Sequence, residues 1–315
     1  MTRLDLLCIG EPMLEFNQLP LQPDGRRLYL ETHGGDTSNA AIAAARQGAR
    51  VGYVTAIGAD PAGDSLMELW RTEGVDTSGV LRDPENPTAI YFVVHDEVGH
   101  DFLYYRRGSA ASLYRPTQLP EATIASARMI YASGISQGIS DSAADTVFRA
   151  IEVARANSVR VAYDTNFRPR LWPPRRAAAV IHAAIAQADI ALPGLDDVAA
   201  LTGLTDPDAI VDFYLALGPQ IVALKMGAAG TLLAIPERRL RIPPFACRPV
   251  DATGAGDTFC GSFLARLIAG DAPEDAARYA ACAAALSTRG FGAVAPIPHA
   301  ATVRAELSAV PGSET

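Results

Sequence analysis

The sequence predicts a three-layer α/β fold. A mainly parallel central sheet is covered by helices on both faces and carries a small β-sheet lid, all within one domain over residues 1–315. Three observations predict it. From Ser142 onward, helix and strand patterns alternate, and the strands are apolar, as in sheets buried on both faces. Two stretches, 13–31 and 89–107, break that alternation with extended, hairpin-like segments. Late in the chain, Thr253-Gly254-Ala255-Gly256-Asp257 leads directly into a long run of small and apolar residues.

Residues 4–9 form a short apolar run closed by Gly10-Glu11-Pro12, as a buried strand would be. Asp36-Thr37-Ser38 offers N-cap side chains, residues 39–47 are Ala-rich with helical spacing, and Gly48 suits the position after the helix. A strand over 51–57 precedes a helix over 64–73, closed by Gly74. Then follow helix 142–156, strand 159–164, helix 175–187, strand 189–192, helix 207–217 and strand 220–225. A strand ends near Pro249-Val250, and helices 256–269 and 274–288 close the core. The stretches 13–31 and 89–107, the second with a turn at Asp96-Glu97-Val98-Gly99, suit a lid, an oligomer contact or a plain edge extension. A short acidic tail after Val310 reads as frayed.

The loop at 253–257 carries the chemistry. Glycines at 254 and 256 let the backbone turn tightly and approach a ligand closely. The helix behind them aims unsatisfied N–H groups and its positive end at the same spot, which suits a phosphate. A carboxylate at 257 would repel that phosphate, unless the amides hold the transferring group while Asp257 takes a proton from an attacking hydroxyl. That chemistry is phosphoryl transfer to a small alcohol. The plainer reading makes the glycines a turn and Asp257 a complement to the helix dipole. The loop lacks a Lys-Ser/Thr pair and G-x-G-x-x-G spacing, so neither a Walker-type P-loop nor a dinucleotide fingerprint is present.

Composition narrows the class. The chain is 49% hydrophobic and 20% charged, ordinary for a globular protein, and its net charge of −8 speaks against a nucleic-acid surface. Its four cysteines lack metal-ligand spacing and read as core residues in a reducing cytoplasm, and its five histidines show no ligand spacing either. No apolar run is long enough to span a bilayer, and no signal peptide precedes Cys8.

Within this acidic chain, two arginine sites stand out. Period-two alternation puts Tyr104 and Arg106 on one face of a strand, and Tyr105 and Arg107 on the other. Arg168-Pro169-Arg170 follows Asp164-Thr165-Asn166-Phe167 at the carboxyl end of a strand, where ligands of open α/β sheets bind. Arginine suits bidentate recognition of carboxylate or phosphate, so an anionic substrate is expected; surface or interface charge is the other reading. Gly34-Gly35-Asp36-Thr37-Ser38-Asn39 offers close backbone approach and short polar groups for sugar hydroxyls, a reading compatible with a helix N-cap after a glycine turn. Lys225, beside the glycines of 227–230, either neutralises nucleotide phosphates or marks an exposed turn.

Over roughly 4–298 the chain resembles the ribokinase-like (PfkB) family of carbohydrate kinases. The resemblance rests on Gly34-Gly35 to Asn39, Gly58-Ala59-Asp60-Pro61-Ala62-Gly63, Lys225 to Gly230, and above all Asp251-Ala252-Thr253-Gly254-Ala255-Gly256-Asp257. Within the family it is most similar to the 2-keto-3-deoxygluconate kinases, through Gly10 to Asn17, Tyr104 to Ala110, Ser133-Gly134-Ile135 and Asp164 to Trp172.

The resemblance implies a ribokinase-like fold, ATP as donor, Mg²⁺ as metal and Asp257 as catalytic base, with Gly254, Ala255 and Gly256 as the anion hole. The implied substrate is 2-dehydro-3-deoxy-D-gluconate, phosphorylated at its terminal hydroxyl. Gly34, Tyr91, Tyr104, Arg106 and Arg168 would line the sugar-acid pocket, with Gly35, Asp36, Thr37, Ser38 and Tyr105 beside them. Asn166, Phe167 and Arg168 would serve the nucleotide, together with Lys225, Met226, Gly227, Ala228, Ala229 and Gly230. Relatives often carry an Asn-x-x-Glu element for the metal's water shell. Here the match is Gly194-Leu195-Asp196-Asp197, so a water-mediated Asp197 is what is left of it. A cytoplasmic homo-oligomer joined through lid strands is implied, with no nucleic-acid or membrane partner. A neutral-sugar kinase of fructokinase or ribokinase type, and a catalytically silent sugar- or nucleotide-binding protein, are the alternatives.

Overall fold

A computed structural model describes residues 3–95 and 100–309, so the expected turn at 96–99 and the tail after Val310 lie outside the described residues. In chain order, β1 (Leu6–Ile9), β2 (Met13–Gln18) and β3 (Tyr29–Gly34) lead into α1 (Asp36–Arg46) and β4 (Val51–Gly58). Then come α2 (Pro61–Thr72), β5 (Asp76–Asp83), β6 (Ile90–His95), β7 (His100–Tyr105), α3 (Glu121–Ser126) and β8 (Met129–Ser133). The middle of the chain runs α4 (Gly134–Gly138), α5 (Asp141–Ala156), β9 (Arg160–Asp164), α6 (Pro174–Ile185) and β10 (Ile190–Ala191). The last part adds α7 (Leu195–Thr202), α8 (Pro207–Leu217), β11 (Ile221–Lys225), β12 (Thr231–Ile235), β13 (Arg238–Ile242), α9 (Ala255–Ala269), α10 (Pro273–Ser287) and α11 (Ala300–Ser308).

The central sheet has nine strands in the order β13-β12-β11-β10-β9-β8-β1-β4-β5. It is parallel from β5 to β11, and β12 and β13 add an antiparallel edge. Its interior strands are apolar on both faces because both faces are covered, whereas the edge strands β5 and β13 carry polar, exposed residues. Leu7 and Ile9 of β1 pack with Ile151, Ile181 and Val211 from α5, α6 and α8. Leu6 and Cys8 pack on the other side with Ile42, Trp70 and Phe263 from α1, α2 and α9. One residue of register separates the two layers, as the period of a strand requires. A second, four-stranded sheet in the order β3-β2-β6-β7 is built from the two stretches that break the alternation, and it forms the lid.

Three local expectations are corrected. There is no strand at Pro249-Val250; residues 243–254 lie outside helix and strand. Prolines at 243, 244 and 249 remove ladder donors there, and the amides of Val250 and Asp251 both donate to the Thr288 carbonyl, at 2.7 and 3.1 Å. The N-cap of α1 is Gly35, with φ 108, and it makes no side-chain capping bond; Asp36, Thr37 and Ser38 are already inside the helix. Helix α2 begins three residues early because Asp60 caps the Gly63 amide and Pro61 takes the first helical position.

Candidate active site

The carboxyl ends of β1, β8, β9 and β11, the first turns of α1 and α9, and the lid enclose a cleft of about 1030 Å³. This is where the parallel strand order places a ligand site. Gly10 and Glu11 leave β1 here, Ser133 ends β8, Asp164 ends β9 and Lys225 ends β11.

Asp257 lies in the first turn of α9 and lines the cleft. It is half-buried, and Asn39 of α1 donates its side-chain amide to Oδ2 at 2.9 Å. Burial, chiefly, pushes the carboxyl up to about 7, and the nearby Asp36 and Asp164 add to this against the Asn39 hydrogen bond and Lys225. Gly254 caps α9 in the left-handed region at φ 74, and a Cβ there would stand 2.9 Å from the Ala293 carbonyl. The Ala255 amide, one of those expected in the anion hole, donates to the Ala252 carbonyl at 3.2 Å.

A buried polar layer floors the cleft. Asp36 Oδ2 accepts from Ser133 Oγ at 2.5 Å and from Asn166 Nδ2 at 2.8 Å, while Oδ1 is buried with no partner among the described residues. Burial holds the Asp36 carboxyl above the usual range. Asn166 itself has φ 25, an unusual value for a residue with a side chain, and its amide bonds Asp164 at 3.2 Å. Lys225 Nζ donates to Asp164 Oδ2 at 2.5 Å. Burial works against the Lys225 charge, but Asp164 outweighs it and the ammonium is held above its ordinary range.

The opposite wall comes from the lid and its junctions. Tyr91 and Tyr104 are stacked 5.5 Å apart, and the Tyr91 hydroxyl donates to the buried Glu15. Gly34 is a glycine because a Cβ would stand 2.4 Å from that hydroxyl, and Gly35 because one would stand 2.5 Å from the Glu11 carbonyl. Arg106 lies over the Tyr104 ring at 5.4 Å and pairs with Glu11. Arg168 is exposed at the cleft, donates to the neighbouring Phe167 carbonyl at 2.9 Å, and makes no ion pair among the described residues. Arg170 reaches across to Asp101 of the lid at 2.9 Å.

Of the expected site residues, the cleft brings together Gly35, Asp36, Tyr91, Tyr104, Arg106, Asn166, Arg168, Lys225, Gly254, Gly256 and Asp257. Others stand elsewhere. Thr37 bonds the buried Tyr53 hydroxyl at 2.8 Å and Ser38 accepts from Trp70 Nε1 at 2.9 Å, so both hydroxyls serve the core. Tyr105 is exposed against Phe92, outside the cleft. Strand alternation ends at Tyr105, so Arg107 lines the cleft after all, contrary to the face assigned to it. Gly34, Phe167, Ala255 and the turn from Met226 to Gly230, with Gly227, Ala228 and Ala229 in a single 3₁₀ turn, border the cleft residues without lining it. Asp197 accepts from Thr165 Oγ1 at 3.2 Å and is not among the residues lining the cleft, its carboxyl raised by burial.

Among the described residues no group of three or more His, Cys, Asp or Glu side chains could hold a metal ion. A Mg²⁺ here would therefore be held mainly by nucleotide phosphates and water, the usual arrangement for this cation. Sequence reading missed Glu11 and Asp164 as cleft residues, and it assigned Asn39 to sugar hydroxyls where the structure pairs it with Asp257. Polar side chains directly at strand ends and in a helix first turn were the available signal.

Residues 4–300 match the family described as pfkB family carbohydrate kinase. The chain is 35% identical over 306 residues to a 2-dehydro-3-deoxygluconokinase of Thermoproteus tenax, covering 95% of this chain and 93% of that one. It is 29% identical to fructokinase-1 of Oryza sativa subsp. japonica, covering 86% of each. The crystal structure of a fructokinase with bound ATP from Xylella fastidiosa superposes with a TM-score of 0.88 at 26% identity, covering 96% of this chain and 98% of that one.

Proposed function

The chain belongs to the pfkB family of carbohydrate kinases, and from that premise we propose that it transfers the γ-phosphoryl group of ATP to the terminal hydroxyl of 2-dehydro-3-deoxy-D-gluconate, giving the 6-phosphate. Asp257 takes the hydroxyl proton while the free amides at the start of α9 neutralise charge on the transferring group. Most of the remaining acceleration comes from positioning, as is usual in phosphoryl transfer. Magnesium accompanies the phosphates, with Asp197 as water-mediated support, and Lys225 stands on the nucleotide side of Asp257. The whole of 1–315 acts as one catalytic unit with its lid.

The observation that carries the sugar-acid reading is Arg168, an exposed guanidinium at the cleft with no carboxylate partner among the described residues. A substrate carboxylate is its natural complement. Identity to the gluconokinase relative, 35% against 29% for the fructokinase, leans the same way. A neutral-sugar kinase is the second reading, favoured by that fructokinase likeness. Free cysteines at 8, 247, 260 and 282 fit a reducing cytoplasm. Exposed Leu30, Leu103 and Tyr105 on the lid strands fit a homo-oligomer joined there.

The test is kcat/KM with ATP across ketodeoxygluconate, its galactonate epimer, fructose and ribose. A preference of about 10²-fold or more for the acids is expected, the scale of losing a hydrogen bond to a charged group. Preference for fructose or ribose would move the enzyme to the second reading.

A further inference from the structure

The geometry points to Glu11 as a positioning residue for Arg106, a role that deepens, and rests on, the sugar-acid reading above. The Glu11 side chain is completely buried, and that of Arg106 is 14% exposed. One carboxylate oxygen takes the Arg106 Nη2 hydrogen bond, and the other accepts from Ser109 Oγ at 3.2 Å. Ser109 Oγ in turn accepts from the Ser112 amide at 3.2 Å, which ties the carboxylate to the turn that follows Arg106. The guanidinium is held from below by Tyr104, 5.4 Å from the ring centroid.

Two further facts point toward a ligand. Arg106 Nε is buried and has no acceptor among the described residues, a donor that a bound acceptor would satisfy. Both Arg106 and Glu11 line the cleft. An ion pair buried this deeply gives little net stability compared with an apolar pair of the same volume, so its place beside the cleft argues for orientation. The glycine at 35 closes the arrangement, since it lets α1 pack against the Glu11 carbonyl and fixes the backbone that carries the carboxylate. Glu11 thereby presets a long, flexible side chain before the substrate arrives, which lowers the ordering cost of binding.

The test is a double-mutant cycle with Glu11→Gln, Arg106→Ala and the combination, run on whichever acceptor the wild-type enzyme turns over fastest. Glu11→Gln is expected to raise the acceptor KM by about 5–50-fold while changing the ATP KM by less than about twofold, the range typical of one coupled contact. The double variant is expected to match Arg106→Ala alone. Effects that multiply, equal shifts in both KM values, or a lower acceptor KM would overturn the role. Ser109→Ala, which loosens the same carboxylate from its other side, is expected to raise the acceptor KM in the same direction and serves if Glu11→Gln does not fold; an unchanged KM there would count against the role. A wild-type preference for neutral sugars would sink the substrate reading and leave the cycle interpretable.

Discussion

Asn39 and Asp257, 218 residues apart in sequence, share a 2.9 Å hydrogen bond that fixes one carboxylate oxygen of a residue lining the cleft. The contact depends on how closely α1 and α9 approach. At Gly261 a Cβ would stand 2.1 Å from the Ala40 carbonyl, so glycine there lets the two helices pack this closely. The carboxylate is oriented by a neutral partner and makes no ion pair among the described residues, which suits a base that must accept a proton.

The pH profile follows. With Asp257 raised to about 7, kcat/KM should climb with pH through that value as the base loses its proton. Asn39 lowers the value and Asp36 raises it, so Asn39→Ala should move the limb to higher pH and Asp36→Asn to lower pH. Stability should run the other way. Folded Asp257 keeps its proton up to about 7 while the unfolded aspartate, at 3.8, has released it. Its contribution is therefore full below the unfolded value and lost as pH rises through about 7. Rate profiles and denaturant midpoints across pH 5–9 check both; a flat rate profile through 7 contradicts the assignment.

Ser38→Ala should destabilise without touching catalysis. Its hydroxyl is the acceptor for the buried Trp70 indole at 2.9 Å, and an orphaned buried donor costs about 1–3 kcal/mol. Urea unfolding should show that loss, with KM for both substrates unchanged. Normal stability with a raised acceptor KM would return Ser38 to the substrate pocket.

Gly254→Ala should be worse than a helix-cap change ordinarily is. The position has φ 74, which costs a residue with a Cβ about 1–2 kcal/mol, and the new methyl would meet the Ala293 carbonyl at 2.9 Å. Displacing the amides at the start of α9 should lower kcat by about 10²-fold or more. Turnover assays alongside thermal unfolding would separate the two effects, and normal kcat would contradict an anion hole at this turn.

What the sequence made legible was local. The glycine spacing of 254–257, the apolar run of β1 and the amphipathic helices all declare themselves within a few residues. Strand β5, Asp-Thr-Ser-Gly-Val-Leu-Arg-Asp, was hidden because an edge strand with a single fully buried residue shows no clean alternation. Strand β8 has five buried residues in all, too short a run to separate from a helix segment. At Asp36, capping chemistry misled because Gly35 takes the cap and turns the carboxylate toward Ser133 and Asn166, 97 and 130 residues away. Glu11 and Arg106 are 95 residues apart, and no local pattern announces that a strand-end glutamate will meet a lid arginine. Pairings of this kind are set by the fold.

The most direct measurement is the turnover of Asp257→Asn with ATP and the preferred acceptor, beside ATP binding by calorimetry. The side chain keeps its size and an oxygen that can accept from Asn39, and loses its charge and its capacity to take a proton. Nucleotide affinity within about twofold of wild type and a kcat lowered by about 10²–10⁴-fold are predicted. Near-normal turnover in a variant that still binds ATP would contradict the account.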